Sequence, residues 1–449
     1  MKKRFLLIGY NFSPEPTGIG KYSGEMIAWL VSQGYDCTVI TSYPYYPYWK
    51  VQEPYYKRRF WFSVEKSEDV VSGGKLTVIR CPQYVPTKPS GFKRILLDFS
   101  FSFSACFPVL KLLFGKKFDY VMAIAPSFQI GIFGALFKKF CNSKFLYHIQ
   151  DLQIEAAQDL KMIRSRHIID MLFRIEKFIL KRSDVVSSIS PSMVAKVKDK
   201  IKKDVVLFPN WTDVNSFFPI ADKASLKRKF SYQPTDRIIL YSGAIGEKQG
   251  LDSIIKIADE LRELKDVKFI ICGSGPYKKD LQALADDRKL ENLEFMPLQS
   301  FDAFNDFLNL ADIHLVIQKA GATDLVMPSK LTTILAVGGL AIITANEGTG
   351  LHSLVQDNNI GVLTATENHN ALKDCIVRVL NSDLRYINAN ARRYAVERLS
   401  TEKILSSYEA AIQSGRVAYE LSPKFGSRRG RDVATLHTNL PRVRDSKAG

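Results

Sequence analysis

RIILYSGAIGEKQGLDSII, Arg237 to Ile255, decides how the chain is built. A short apolar run ends in glycine, and past Gly243, Gly246 and Gly250 an apolar period suited to a helix begins. The same order of strand, glycine loop and helix returns at VKFIICGSGP, where Gly273 and Gly275 stand at a strand end and Pro276 is placed to open a helix. LEFMPL, DIHLVIQ and LAIITA continue the series. Upstream, RFLLIGY, DCTVITS, KLTVIRC, FDYVMAIA, KFLYHIQD and DVVSSIS form an earlier series with helical periods between them. Strands alternating with helices imply a parallel sheet covered on both faces. The expected class is therefore α/β with two Rossmann-like, doubly wound units. Joined near Pro209, they would face each other across a cleft at the carboxyl ends of their strands, where open α/β sheets bind ligands. The expected division is 1–208, 209–383, a helix at 384–414 returning toward the first unit, and a basic tail at 415–449.

At 449 residues the chain exceeds one ordinary core. Apolar content of 46% and charged content of 24% fit a globular protein. The 63 basic residues against 46 acidic ones leave +17, which suits a polyanionic partner without choosing between nucleic acid, an anionic membrane and phosphorylated substrates. The basic residues are dispersed and form no recognition module, so nucleic acid is not expected as a partner. Six cysteines without a close pair argue against a zinc site or a disulfide framework, and for buried reduced thiols. The N-terminal MKKRFLLIGYNFSPEP turns into a Pro-rich loop too soon for a signal peptide and reads as a first strand. ILLDFSFSFSACFPVLKLLFG, Ile95 to Gly115, is strongly apolar, but Asp98, its serines and Pro108 count against a spanning helix. It fits an interfacial or a core helix. From Arg416 onward eight basic residues stand against three acidic ones with few large apolar groups, either a disordered tail or an electrostatic membrane contact.

Several loops can carry chemistry. In SPEPTGIGKYSGEM, Gly18 and Gly20 let the backbone turn tightly before a helix whose first amides are free for phosphate, although the spacing is not that of a dinucleotide fingerprint. That loop is equally readable as a plain turn. Lys248, beside Gly243, could neutralise a diphosphate leaving group without a metal, or be a solvated surface lysine. QKAGATDLVMPSKLTTIL, Gln318 to Leu335, reads as a loop and then a helix start with Ser329 as cap, leaving Asp324 and Lys330 beside helix-end amides. Glycine loops at three strand ends together with this segment indicate a nucleotide-phosphate site.

SPEPTGIGKYSGEM, HIQDLQIEAA, LFPNWTDVNSFFP, SGAIGEKQGL, CGSGP and QKAGATDLVMPSKL together resemble glycosyltransferase family 4, the retaining sugar-nucleotide transferases of GT-B fold, and among them the fucosyltransferase-like members of colanic-acid and exopolysaccharide clusters. The resemblance runs from about Phe5 to Ile412. It implies a nucleotide-sugar donor (GDP-fucose or a UDP-sugar) with Gly18 and Gly20 facing its phosphates. It places His148 and Asp151 near the reacting sugar, although His148 also reads as a satisfied histidine at a strand end. Of the family's arginine and lysine on the diphosphate only the lysine matches, as Lys248, because Ala244 stands at the arginine position. Asp324 falls near the first of two family glutamates, and Thr333 stands at the second. Gly243, Gly273, Gly275, Ser329, Lys330 and Leu331 complete the donor side, and backbone around Met296 would read the base. No metal and no cofactor are expected. The resemblance further implies a polyprenyl-diphosphate-linked saccharide acceptor at the cytoplasmic leaflet. Tyr43–Phe62 and Ile95–Phe114, aromatic and basic, could hold a cytoplasmic chain peripherally on that anionic inner leaflet, or form an acceptor loop packed on its own domain. A sugar-nucleotide epimerase is the rival enzyme, though no carboxylates group at the expected cleft.

Overall fold

A computed structural model describes residues 2–159, 165–319 and 328–414. The first half contains β1 (Arg4–Ile8), β2 (Asp36–Ser42), β3 (Ser63–Glu68), β4 (Lys75–Cys81), β5 (Tyr120–Ala125), β6 (Lys144–Ile149), β7 (Val185–Ser188) and β8 (Val206–Leu207). Its helices are α1 (Gly18–Ser32), α2 (Gly91–Leu113), α3 (Gly131–Cys141), α4 (Gln153–Asp159), α5 (Arg166–Arg182) and α6 (Pro191–Ile201). The second half holds β9 (Arg237–Ser242), β10 (Val267–Cys272), β11 (Leu293–Met296), β12 (Ile313–Val316), β13 (Ala341–Thr344) and β14 (Val362–Thr364). Between and after these lie α7 (Lys223–Lys229), α8 (Asp252–Glu260), α9 (Lys278–Asp287), α10 (Phe301–Leu310), α11 (Ser329–Ala336), α12 (Gly350–Asn358), α13 (His369–Leu380), α14 (Arg385–Tyr394) and α15 (Thr401–Ser414).

Two sheets result, ordered β3-β4-β2-β1-β5-β6-β7-β8 and β11-β10-β9-β12-β13-β14. All pairings are parallel except β3 against β4. The apolar runs follow from two-sided burial, since successive side chains point to opposite faces. In β1, Leu6 and Ile8 enter one core while Phe5 and Leu7 enter another. In β9, Ile238 and Leu240 face one layer, and Ile239 and Tyr241 the opposite one.

The chain crosses between the halves twice, and the crossings lie side by side. Thr212 N–H donates to the Leu399 carbonyl at 2.8 Å and the Thr212 carbonyl accepts from Thr401 N–H at 3.1 Å. Beyond that point α15 lays Ile404, Leu405, Tyr408 and Ile412 against the first sheet beside Phe5, Leu7 and Trp211. The strand ends of both sheets thereby flank one cleft.

Two expectations need correction here. Tyr43 and Tyr45 are only 3% exposed and sit in the first core, with Tyr46, Trp49 and Tyr55 packed against it, so the aromatic run that starts at Tyr43 is divided and, of its aromatic residues, only Tyr48, Tyr56 and Phe60–Phe62 are exposed. Pro276 does not begin a helix, because Tyr277 N–H bonds back to the Ile245 carbonyl at 3.3 Å and the α9 cap falls on Tyr277 itself.

Candidate active site

The ends of β9, β10 and β11 are laced by backbone hydrogen bonds. Gly243 N–H donates to the Cys272 carbonyl at 2.9 Å, Ile245 N–H to Ser274 at 2.9 Å, and Gly273 N–H to Met296 at 3.3 Å. Gly273 and Gly275 are required there, since φ is +157° and +156° and a Cβ would run into the carbonyl oxygens of Gly243 and Ile245. Met296 thus uses its carbonyl on Gly273 and turns its partly buried side chain toward the second core.

Onto this platform α11 delivers Lys330. The Nζ lies 3.6 Å from the centroid of the Tyr241 ring, and a Cβ on Gly243 would sit 3.3 Å from it. The stem of Lys330 is partly exposed while its amino nitrogen is shielded, and that nitrogen has no hydrogen-bond partner among the described residues. Burial pushes its pKa down to about 7, since a charged ammonium loses its hydration there. Tyr241 is held in place by donating its hydroxyl to the Ala244 carbonyl at 2.7 Å.

The helix carrying Lys330 is capped by Pro328, in extended backbone, rather than by Ser329. Ser329 is already helical, so its hydroxyl cannot fold back as a cap, and it stands exposed at the first turn. Leu331 is fully buried in the core and anchors the helix, so only its backbone can serve a ligand. Thr333 donates its hydroxyl to the Lys330 carbonyl at 3.0 Å, which ties that group into the helix. Thr332 hydrogen-bonds Tyr22 of α1 from the other half. The helix that begins at Gly18 is therefore in contact with the helix that begins at Ser329.

On the first-half side, Gly18 takes φ +65° against the Tyr46 ring, and a Cβ on Gly20 would collide with Glu15. Glu15 is only 3% exposed, and its carboxylate accepts from Asn11 Nδ2 at 2.8 Å, Tyr45 N–H at 3.1 Å and Tyr46 N–H at 3.0 Å. Burial outweighs those bonds and pushes its pKa up to about 7. Asp98 of α2, buried beside Tyr10 and hydrogen-bonded by Gln153 of α4, is likewise raised by burial to about 6. Sequence reasoning did not single out Glu15, and it named Asp98 only as a mark against a spanning helix. Their only signal was an acidic residue inside a Pro-Gly loop and another inside an apolar run.

His148 is the largest correction. It lies on the α15 side of β6, 1% exposed, with Nδ1 3.0 Å from Ser187 Oγ and its ring against Phe208 at 5.0 Å. Phe208 stacks on Tyr408 at 3.7 Å, and Ser187 reaches the Tyr408 hydroxyl at 3.2 Å. Burial drives the imidazole pKa down to about 3, so it is neutral and belongs to the seam under α15 rather than to the cleft. Asp151 follows the end of β6, is exposed, and acts electrostatically on Tyr10. Lys248 falls within the single turn Glu247–Gln249, bracketed by Gly246 and Gly250, and its side chain lies outside the description. Asp324 lies outside the described residues.

Known proteins share this arrangement. Residues 17–211 match the glycosyl transferase 4-like domain, and residues 222–397 match the glycosyl transferases group 1 family. WcaI of Escherichia coli (strain K12), a glycosyl transferase named for colanic acid biosynthesis, is 40% identical over 413 residues, which cover 90% of this chain and 98% of that one. Sucrose-phosphate synthase from Thermosynechococcus elongatus superposes with a TM-score of 0.67 at 16% identity, covering 92% of this chain and 99% of that one. Anabaena HepE, solved with UDP and glucose, gives 0.63 at 13% identity, covering 92% and 100%. At such identities the two structures speak for the fold alone. With two cleft-facing α/β halves, both halves matched, and 40% identity to WcaI over 98% of its length, the chain belongs to glycosyltransferase family 4 and is a glycosyltransferase of GT-B fold.

Proposed function

We infer that this enzyme moves a sugar from a nucleoside-diphosphate donor to a lipid-linked saccharide acceptor during synthesis of a bacterial exopolysaccharide, with retention at the anomeric carbon. One observation carries the donor assignment: a shielded Lys330 amine, without a hydrogen-bond partner among the described residues, at a helix start between Gly243 and Tyr241. Such an amine is stabilised by an anion that brings its own charge and oxygens into reach, and helix-end amides add further donors. The name of WcaI and the UDP held by HepE support the polysaccharide role and the class of donor. GDP-fucose and UDP-sugars remain the donors of choice.

In the proposed step the acceptor hydroxyl attacks the anomeric carbon on the face from which the diphosphate departs. A carbon–oxygen bond to the acceptor forms as the bond to the diphosphate breaks, and the hydroxyl proton passes to the leaving diphosphate. Lys330, Lys248 and the first amides of α11 carry the charge that develops, a role needing no metal. Closure of the cleft about the crossings at Thr212 and Ser400 would exclude water and suppress hydrolysis. Asp324 is proposed to meet the donor sugar and Asp151 the acceptor side. A thermal-shift panel of UDP-, GDP- and dTDP-sugars tests the reading. One base class should raise the melting temperature in wild type and lose that effect in Lys330→Met, whereas no shift with any nucleotide would overturn it.

A further inference from the structure

One face of the first half exposes an apolar surface that interior packing does not explain. Along α2, Phe92, Leu96, Phe99, Phe103, Phe107 and Leu110 recur every three or four positions, and all are exposed. Leu97, Phe101, Ala105 and Val109, on the other side of the helix, are buried in the first core. The exposed stripe continues into the segment before β3, where Phe62 meets Phe107 edge-on at 6.1 Å and Phe60 and Trp61 are 68% and 75% exposed. Exposed single hydrophobics need no explanation, but a contiguous aromatic stripe this long marks a contact surface.

The rim of the surface is cationic. Lys57 and Arg58 stand exposed beside the Phe60–Phe62 segment, Lys93, Arg94 and Lys111 flank the stripe on α2, and Lys116 and Lys117 follow its end. Of the nearby acids, Glu65 is engaged by Arg80 at 2.7 Å, Asp98 is buried and Asp119 accepts from the Arg4 N–H at 2.7 Å, so the exposed Glu53 and Asp119 leave the rim cationic. Two copies of this chain meeting through the face would bring like-charged rims together, which opposes self-association. An apolar aromatic centre ringed by lysine and arginine matches a lipid surface with anionic headgroups.

By length and composition Gly91–Leu113 could cross a bilayer. Its packing says otherwise. The helix sends Asp98 into the domain beside Tyr10 and Gln153, and its apolar inner face is already covered by the first core. We propose that α2 and the Phe60–Phe62 segment dock in plane on an anionic membrane, half-immersed through the Phe99–Phe103–Phe107 stripe. The start of α2 lies at the carboxyl end of the first sheet, where Arg94 stands over Trp49 at 5.3 Å and Asp98 joins the cleft-end residues Tyr10 and Gln153. Docking therefore sets the mouth of the cleft at the level of the headgroups. The proposal is independent of the donor assignment and extends the acceptor reading, because a lipid-linked acceptor would present its saccharide at that level.

Vesicle co-sedimentation of the full chain tests this. Phosphatidylglycerol–phosphatidylethanolamine vesicles at low salt should retain most of the protein, phosphatidylcholine vesicles at least tenfold less, and 0.5 M salt should release part of it. Trp61 fluorescence should shift to the blue on binding and be quenched by shallow brominated lipid, with Trp61→Phe removing that signal. The double variant Phe103→Ser, Phe107→Ser should lose binding at least tenfold while keeping wild-type thermal unfolding and nucleotide-induced stabilisation, which separates lost docking from lost folding. Equal binding by wild type and the double variant would overturn the proposal. So would a concentration-dependent dimer, abolished by the same pair of substitutions, in a protein that ignores vesicles.

Discussion

Each half of the molecule buries a titratable group at its cleft-side glycine loop, and the two groups are treated in opposite ways. Glu15 in the first half receives hydrogen bonds from Asn11, Tyr45 and Tyr46. Among the described residues, Lys330 in the second half receives only the face of Tyr241. Both are pushed toward neutrality by loss of water, the acid up to about 7 and the amine down to about 7. The difference lies in what completes them. Glu15 is completed by its own chain and holds a loop in place, whereas Lys330 is proposed to be completed by an anionic ligand. A satisfied buried charge is a structural part, and an unsatisfied one next to glycine loops is a binding part.

The largest effect should come from breaking the unsatisfied side. Lys330→Met is expected to lower kcat/KM for the donor about a hundredfold, in line with removal of one charge-stabilising contact, while raising thermal stability because a poorly solvated ammonium is gone. Steady-state rates and a melting curve on the same preparation check both directions. Breaking the satisfied side should act on folding instead. Glu15→Ala strands two backbone amides and the Asn11 amide, and is expected to cost about 2 kcal/mol in urea unfolding, with the nucleotide affinity of the folded fraction retained.

The two sites also differ in their pH linkage. Glu15 has a folded pKa above its unfolded value of 4.5, so the folded state holds the extra proton between about 4.5 and 7, and stability from this group falls as pH rises through that window. Lys330 has a folded pKa below 10.5, so the unfolded state holds the extra proton between about 7 and 10.5, and stability from this group rises there. Urea titrations at several pH values should lose the first slope in Glu15→Gln and the second in Lys330→Met.

Smaller effects sharpen the contrast. Lys248→Ala is expected to slow transfer at least tenfold with folding unchanged, read by single-turnover kinetics with purified enzyme. His148→Gln should leave kcat within about twofold and alter only stability, since the ring sits under α15. A loss of kcat without loss of stability would return His148 to the reaction.

The alternation of strands and glycine loops was legible because buried parallel strands write themselves as apolar runs. β3 was missed because SVEKSE is an exposed antiparallel edge that alternates with charge, and β8 and β14 because they are very short. The strand-end positions of Gly243, Gly273 and Gly275 and the helix-start position of Lys330 were legible from the sequence. The placement of His148 was not, because nothing local tells which face of β6 points toward the cleft and which lies under a helix that arrives at Thr401. The Tyr22–Thr332 contact joins helices far apart in sequence, and no periodicity announces it.

The central claim is that Lys330 is completed by a nucleoside diphosphate. Calorimetric titration of the preferred nucleotide at pH 8, in two buffers of different ionisation enthalpy, tests it most directly. At that pH the free amine, with a pKa of about 7, is mostly neutral. Binding should therefore take up close to one proton, and affinity should fall as pH rises above 7. In Lys330→Met the uptake should vanish and the affinity drop. Equal affinity in both proteins with no proton exchange would contradict the account.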